Sequence, residues 1–325
     1  MIQRIRSEEI RGVIAIMPTP ATDDAGRWEA AETVDIAESK RAVHAFIEDG
    51  VDGLMTNGTL GEGATLTWEE HLTFAAAVLE AAEGKIPVFI GATTLNTRDT
   101  IKKAKAFRDL GADGLLLGRP MWCENDEDTL VGFYQDVAEA VPELAIVVYD
   151  NPEAFKGKIS SRAYARLAEI PQIVASKYIG VGQSYLADLE AVKGKIRLMP
   201  MESDWYYAWK WAPEEALACW SSSASCGPAP AVALKEAIFQ GDENKARQIT
   251  KEIRYTFETF FPDGDFHKFS IYNIGLEKER FNAAGYLKAG PCRPPYRHLP
   301  QDYLNGARIA GERWAQLHQK YSKKD

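Results

Sequence analysis

Cysteine is scarce in this chain: there are four in 325 residues, Cys123, Cys219, Cys226 and Cys292, and no two form a CxxC pair. Such spacing suits neither a disulfide scaffold nor a thiolate metal site, and a reducing compartment is the simplest setting for it. Histidine adds no metal signal. His44, His71, His267, His298 and His318 are scattered, without HxH or HExxH spacing, so no metal is expected. Basic clusters are missing too. The formal net charge is −9, from 38 basic and 47 acidic residues, and nucleic acid is excluded as an expected partner. No apolar run is long enough to cross a bilayer, and the opening Met1-Ile-Gln-Arg-Ile-Arg-Ser-Glu-Glu is too charged for a signal peptide. A soluble, cytoplasmic protein with no membrane partner is the expectation.

What the chain does have is apolar periodicity. At 46% hydrophobic it can bury one large core or two ordinary ones. Short β-like runs recur at 13–17, 53–56, 88–91, 114–117, 146–149, 173–176, 196–199 and 217–220. Helix-like stretches separate them, as at 35–49, 68–83 and 100–110, and Gly50 and Gly111 stand where helix C-termini favour glycine. Eight such alternations predict an α/β (β/α)8 TIM barrel. A doubly wound sheet would need a phosphate-binding glycine loop after its first strand. Pro18-Thr-Pro20 occupies that position and cannot cradle a pyrophosphate. From 229 onward the strand signal stops, and 232–240, 243–260, 266–285 and 303–320 read as helices. The expected organisation is a barrel over 1–228 with a C-terminal helical extension over 229–325. No flexible linker marks 225–245, so the two are read as one structural unit.

The most informative stretch is 145–182. Ala145-Ile-Val-Val-Tyr149-Asp-Asn-Pro152 and Ile173-Val-Ala-Ser-Lys177-Tyr-Ile-Gly180 read as buried parallel strands joined by a helix near 160–169. A right-handed crossover would set Tyr149 and Lys177 at the same C-terminal sheet edge, where barrel chemistry is done. A lysine is costly inside such a strand unless it has a task there. A phenol beside an amine suggests Schiff-base chemistry. The other strand ends offer Gly58-Thr59-Leu60-Gly61-Glu62, Arg119-Pro-Met-Trp122 and Trp220. Each has an ordinary alternative: a solvated terminal lysine, a core-edge tyrosine, a tight glycine turn, a packing tryptophan.

Together these residues resemble the dihydrodipicolinate synthase/N-acetylneuraminate lyase family. The carrying motifs are Gly58-Thr59-Leu60-Gly61-Glu62, Tyr149-Asp-Asn-Pro152 and Lys177, and the likeness covers about residues 10–300. It implies a class I, Schiff-base-forming barrel, usually a homotetramer, that acts on pyruvate or its adducts with no metal or organic cofactor. By that resemblance Lys177 forms the imine, Tyr149 relays protons, and Thr59 with the amides of Gly58 and Leu60 binds the carboxylate. The chain departs from the synthase pattern at Leu60, where a second threonine is usual, and at Trp122, where a proton-passing tyrosine is usual. It looks closer to the hydratase-aldolases of trans-o-hydroxybenzylidenepyruvate and trans-o-carboxybenzalpyruvate. The stretches Ala64-Thr-Leu-Thr-Trp68-Glu, Gly118-Arg-Pro-Met-Trp122, Asn151-Pro-Glu-Ala-Phe155-Lys, Tyr272-Asn-Ile-Gly-Leu-Glu-Lys278 and Ala289-Gly-Pro-Cys-Arg-Pro-Pro-Tyr296 carry that likeness.

The implied reaction begins with Lys177 attacking the C2 ketone of an aryl 2-oxo-3-butenoate, a desolvated lysine being the available nucleophile. Water adds to the conjugated iminium, the C3–C4 bond breaks, and an aromatic aldehyde and pyruvate leave. Trp122, Trp220 and the Trp205-Tyr-Tyr207 run are candidates for the aryl slot. Asn273 either orients water or an ortho substituent, or caps the barrel top. Arg119 either pairs with an aryl carboxylate or turns to a loop carboxylate such as Glu124 or Asp126; the expectation leans to a carboxylate substrate. A family synthase or sugar-acid lyase is the alternative enzyme, and a silent barrel serving as an assembly module is the non-enzyme alternative.

Overall fold

The computed structural model describes residues 4–322. Its strands are β1 Gly12–Ile16, β2 Gly53–Thr56, β3 Val88–Gly91, β4 Gly114–Leu117, β5 Ala145–Tyr149, β6 Ile173–Lys177, β7 Arg197–Met199 and β8 Ala218–Ser221. All their residues are buried, which is why they read as unbroken apolar runs. In the sheet the order is β7-β6-β5-β4-β3-β2-β1-β8, and the fold is a (β/α)8 barrel with a C-terminal helical extension.

The helices are α1 Ile36–Glu48, α2 Trp68–Ala82, α3 Thr97–Asp109, α4 Glu127–Ala140, α5 Pro152–Phe155, α6 Ser161–Leu167, α7 Gln183–Val192, α8 Trp205–Trp211, α9 Ala229–Phe239, α10 Glu243–Thr256, α11 Phe266–Ala284 and α12 Gln301–Tyr321. Their starts follow from capping chemistry. Asp35, Thr67, Asn96, Asp126, Ser160, Asp242 and Asp265 each accept a backbone N–H of the following turn. The ninth helix starts at Ala229, ahead of the expected 232, because Pro230 lies in the first turn, where its missing N–H costs no helical bond. Among the described residues, no helix is long and apolar enough to cross a membrane.

The chain groups into two compact units. One is Pro87–Trp220 with the described residues up to Ile14; the other is Ala15–Ile86 with those from Ser221 onward. The C-terminal helices therefore group with residues 15–86. In the first unit, β3 to β7 pair in parallel, one after the next. Between β5 and β6 the register slips by one: Ile146 opposes Ile173, but Val147 opposes Ala175. The extra residue on β6 is Val174. In the second unit, α11 packs along α12 and α1 along α2. Trp314 is fully buried there, its indole N–H donating to Gly227 O at 2.8 Å.

Candidate active site

The bulge in β6 has a chemical consequence. Continued without it, the Ile146–Ile173 pairing would set Tyr149 opposite Ser176; with it, Tyr149 faces Lys177. A shift of one residue exchanges the two faces of a strand, so the bulge brings amine and phenol to neighbouring rungs. Lys177 is buried, its Nζ 4.9 Å from the Tyr149 ring centroid and 3.5 Å from that of Trp220. Trp220, on β8, is fixed from several sides. Its indole N–H donates to Tyr178 O at 2.8 Å, its amide donates to Pro200 O at 2.9 Å, and its carbonyl accepts from the Glu202 amide at 3.1 Å. The ring facing the lysine is thus tied to the residue that follows the lysine.

Tyr149 is held equally closely. Phe155 of α5 meets it edge-on, with centroids 5.3 Å apart. A Cβ at position 118 would fall 2.0 Å from Phe155 Cζ, so only glycine lets that ring in. Asn151 caps α5, its Oδ1 accepting from the Glu153 and Ala154 amides at 3.2 Å each. The cap fixes the amide's orientation and turns Nδ2 toward the Tyr149 phenol oxygen, 3.3 Å away. The phenol oxygen accepts there, and its own proton is directed elsewhere. Asn151 and Phe155 were not among the expected site residues, although both stand in the motif that follows Tyr149.

Arg119 lies at the end of β4 and is buried. Its guanidinium donates to Gly157 O and approaches the Asp150 carboxylate at 3.9 Å. This geometry favours the internal-partner alternative over an aryl carboxylate, with Asp150 as the partner in place of Glu124 or Asp126. Trp122 is 77% exposed, outside the rings that face Lys177, and its carbonyl accepts from Lys156 Nζ at 2.6 Å.

Gly58, Thr59, Leu60 and Asn273 belong to the second unit. The turn at 57–63 is compact: Glu62 N donates to Thr59 O and Gly63 N to Gly58 O, both at 3.0 Å. Asn57 and Glu62 both have positive φ, and a Cβ on Gly63 would meet Asn57 O at 2.2 Å. Glu62, fully buried, locks the turn. It pairs with Lys278 at 2.6 Å, accepts the Arg293 amide at 2.8 Å and contacts the Arg293 guanidinium. Burial, outweighing the attraction of Glu62, lowers the Lys278 pKa, and burial pushes the adjacent Cys292 thiol up to about 11. His71 joins both ends of the turn, through Asn57 Nδ2 at 2.9 Å and Gly63 O at 3.0 Å. Leu60 is buried and Thr59 half-buried. Asn273, on α11, is half-buried, and its side-chain oxygen has no hydrogen-bond partner among the described residues.

Comparison with known proteins adds to this geometry. The model of the dihydrodipicolinate synthetase family matches residues 9–307. The chain is 49% identical over 324 residues to a trans-O-hydroxybenzylidenepyruvate hydratase-aldolase of Pseudomonas putida, spanning 98% of this chain and 97% of that protein. It is 48% identical over 320 residues to a trans-2'-carboxybenzalpyruvate hydratase-aldolase of Nocardioides sp. (strain KP7), spanning 98% and 96%. Among solved structures, one described as PhdJ bound to substrate intermediate superposes with a TM-score of 0.97 at 48% identity, covering 98% of this chain and 100% of that one.

Proposed function

The chain belongs to the dihydrodipicolinate synthetase family and is an aldolase-type lyase, and on that premise we propose that it cleaves an ortho-substituted trans-benzylidenepyruvate into an aromatic aldehyde and pyruvate, in the breakdown of polycyclic aromatic hydrocarbons. The observation that carries this reading is the bulged register that sets Lys177 opposite Tyr149 beneath the Trp220 ring.

Lys177 Nζ adds to the C2 ketone, and loss of water leaves a conjugated iminium. The positive charge forms on the nitrogen that already stands 3.5 Å from the Trp220 ring centroid, and an indole face attracts such a cation. The iminium draws electrons from C4, so water adds there as the hydroxyl, and a proton taken up at C3 of the resulting enamine restores the iminium. Tyr149 then takes the new hydroxyl proton, the C3–C4 bond breaks toward the iminium, and the aldehyde leaves. Protonation of the enamine at C3 and hydrolysis release pyruvate and restore Lys177. Asn151, bonded to the phenol oxygen, holds Tyr149 in one orientation through this sequence.

Thr59, with the amides of Gly58 and Leu60, is proposed for the substrate carboxylate on the family resemblance. Asn273 is proposed to orient water or the ortho group, and Trp122 to contribute to the aryl slot. The reaction as written uses no metal or organic cofactor, and the homotetramer and cytoplasmic location are read from the resemblance and composition. The test supplies the o-hydroxy and the o-carboxy substrates in parallel and follows pyruvate release. Release from at least one is expected. Release from neither, with a sugar acid cleaved or an aliphatic aldehyde condensed instead, would move the chain to another activity of its family.

A further inference from the structure

Behind the two catalytic strand ends lies a polar set that the reaction above leaves unused. Side chains alternate along a strand, so Ser176 points to the face opposite Lys177, and Asp150 turns to the face opposite Tyr149. Both are buried, and both meet the same hydroxyl, that of Tyr164 on α6. Tyr164 donates to Asp150 Oδ2 at 3.2 Å, and with its one proton given away it accepts from Ser176 Oγ at 2.8 Å. Asp150 also accepts from the Ile159 amide at 3.3 Å and faces Arg119 at 3.9 Å. Apolar residues at such a helix–strand seam would hold the fold as well or better, so a buried ionisable set there calls for a role beyond stability.

We propose that Tyr164 is a positioning residue: by bridging Asp150 and Ser176 it couples the backbone after Tyr149 to the backbone before Lys177, and so sets the spacing of phenol and amine for proton transfer. The proposal rests on the reading that Lys177 and Tyr149 carry the chemistry. The bridge spans the strand pair whose register the bulge adjusts, and it takes hold one residue beyond Tyr149 and one before Lys177.

The bridge depends on the ionisation of Asp150, because a carboxylate only accepts from the Tyr164 hydroxyl, whereas a protonated acid brings a donor of its own to the same contact. The groups facing Asp150 are Arg119 from the end of β4, Tyr134 from α4, Lys158 ahead of α6, Tyr164 from α6 and Tyr178 after β6, with Asp188 of α7 joined through the Tyr178 hydroxyl. Burial raises the Asp150 pKa to about 6, with Arg119 opposing that shift and the Tyr164 hydrogen bond favouring the charged form. Turnover therefore has an acid limb that belongs to the bridge.

Tyr164→Phe removes one oxygen and keeps the ring. The expected result is kcat lowered about tenfold, in line with losing one buried hydrogen bond, with KM and borohydride trapping of pyruvate retained and the bridge's acid limb lost from the pH profile. A role confined to packing would leave that limb in place. Either an unchanged kcat or a limb left in place overturns the proposal. Should Tyr164→Phe not fold, Ser176→Ala cuts the other end of the bridge. It is expected to lower kcat roughly threefold and to weaken the same limb, and wild-type kcat there overturns the proposal. Failure of the functional reading would look different: Lys177→Ala would still trap pyruvate.

Discussion

At the ends of β5 and β6 side chains are aimed by sheet register and by rings. In the turn at 57–63 the backbone is held by ion pairs and left-handed residues. Tyr149, Lys177 and Trp220 sit on strands, and one bulge, one indole hydrogen bond and one edge-on phenylalanine place them. Gly58, Thr59 and Leu60 have no strand to fix them. Their geometry comes from Gly63, from positive φ at Asn57 and Glu62, and from the Glu62–Lys278–Arg293 cluster. The first arrangement aims an amine and a phenol; the second places charge at the centre of its own stability. Damage to the first should therefore appear in rates, and damage to the second in folding.

The largest rate effect is expected from Lys177→Ala, which should abolish both borohydride trapping and aldehyde release with the circular dichroism spectrum unchanged. Tyr149→Phe comes next. Its turnover should fall by roughly 10²–10⁴, the usual range for a positioned acid–base group, and stopped-flow spectra should show slower iminium formation. Near-normal turnover in the phenylalanine variant would assign the protons to water or to the substrate's own hydroxyl.

On the other side of the comparison, Glu62→Ala leaves Lys278 and Arg293 buried without their shared carboxylate. Such a break costs about 3–5 kcal/mol, and urea unfolding should register it. A loss under about 1 kcal/mol, the level of an exposed ion pair, would show that the cluster does not lock the turn. A smaller effect is expected from Arg119→Met. Because its partners are Asp150 and Gly157, kcat/KM should fall by a similar factor for the o-hydroxy and o-carboxy substrates, about tenfold or less. A loss confined to the carboxylate substrate would reassign Arg119 to the aryl group.

Much of the barrel was legible from the chain. The spans of β2, β3 and β4 coincide with the expected 53–56, 88–91 and 114–117, because buried parallel strands bounded by turns leave continuous apolar runs. The edge shared by Tyr149 and Lys177 follows from the right-handed crossover. Their being opposite one another does not, since nothing in Ile173-Val-Ala-Ser-Lys177 marks Val174 as the residue that bulges. The polar seam was hidden for another reason: Asp150, Tyr164 and Ser176 meet only through packing of α6 on the strands. The aromatic run at 205–207 opens α8, and of its three rings Trp205 is fully buried, its indole N–H donating to Ala216 O at 2.7 Å. In the second region glycines flagged the turn, but the pairing of Glu62 with residues more than 200 positions away had no local sign.

The most direct test of the central claim is a site map of the pyruvate adduct. Wild-type protein is incubated with pyruvate, reduced with borohydride and digested, and the modified peptide is sequenced by tandem mass spectrometry. The expected result is one pyruvyl group on Lys177 and none on the other lysines. An adduct on another lysine, such as the buried Lys278 with its lowered pKa, or no adduct at all, would contradict the assignment of Lys177 as the nucleophile.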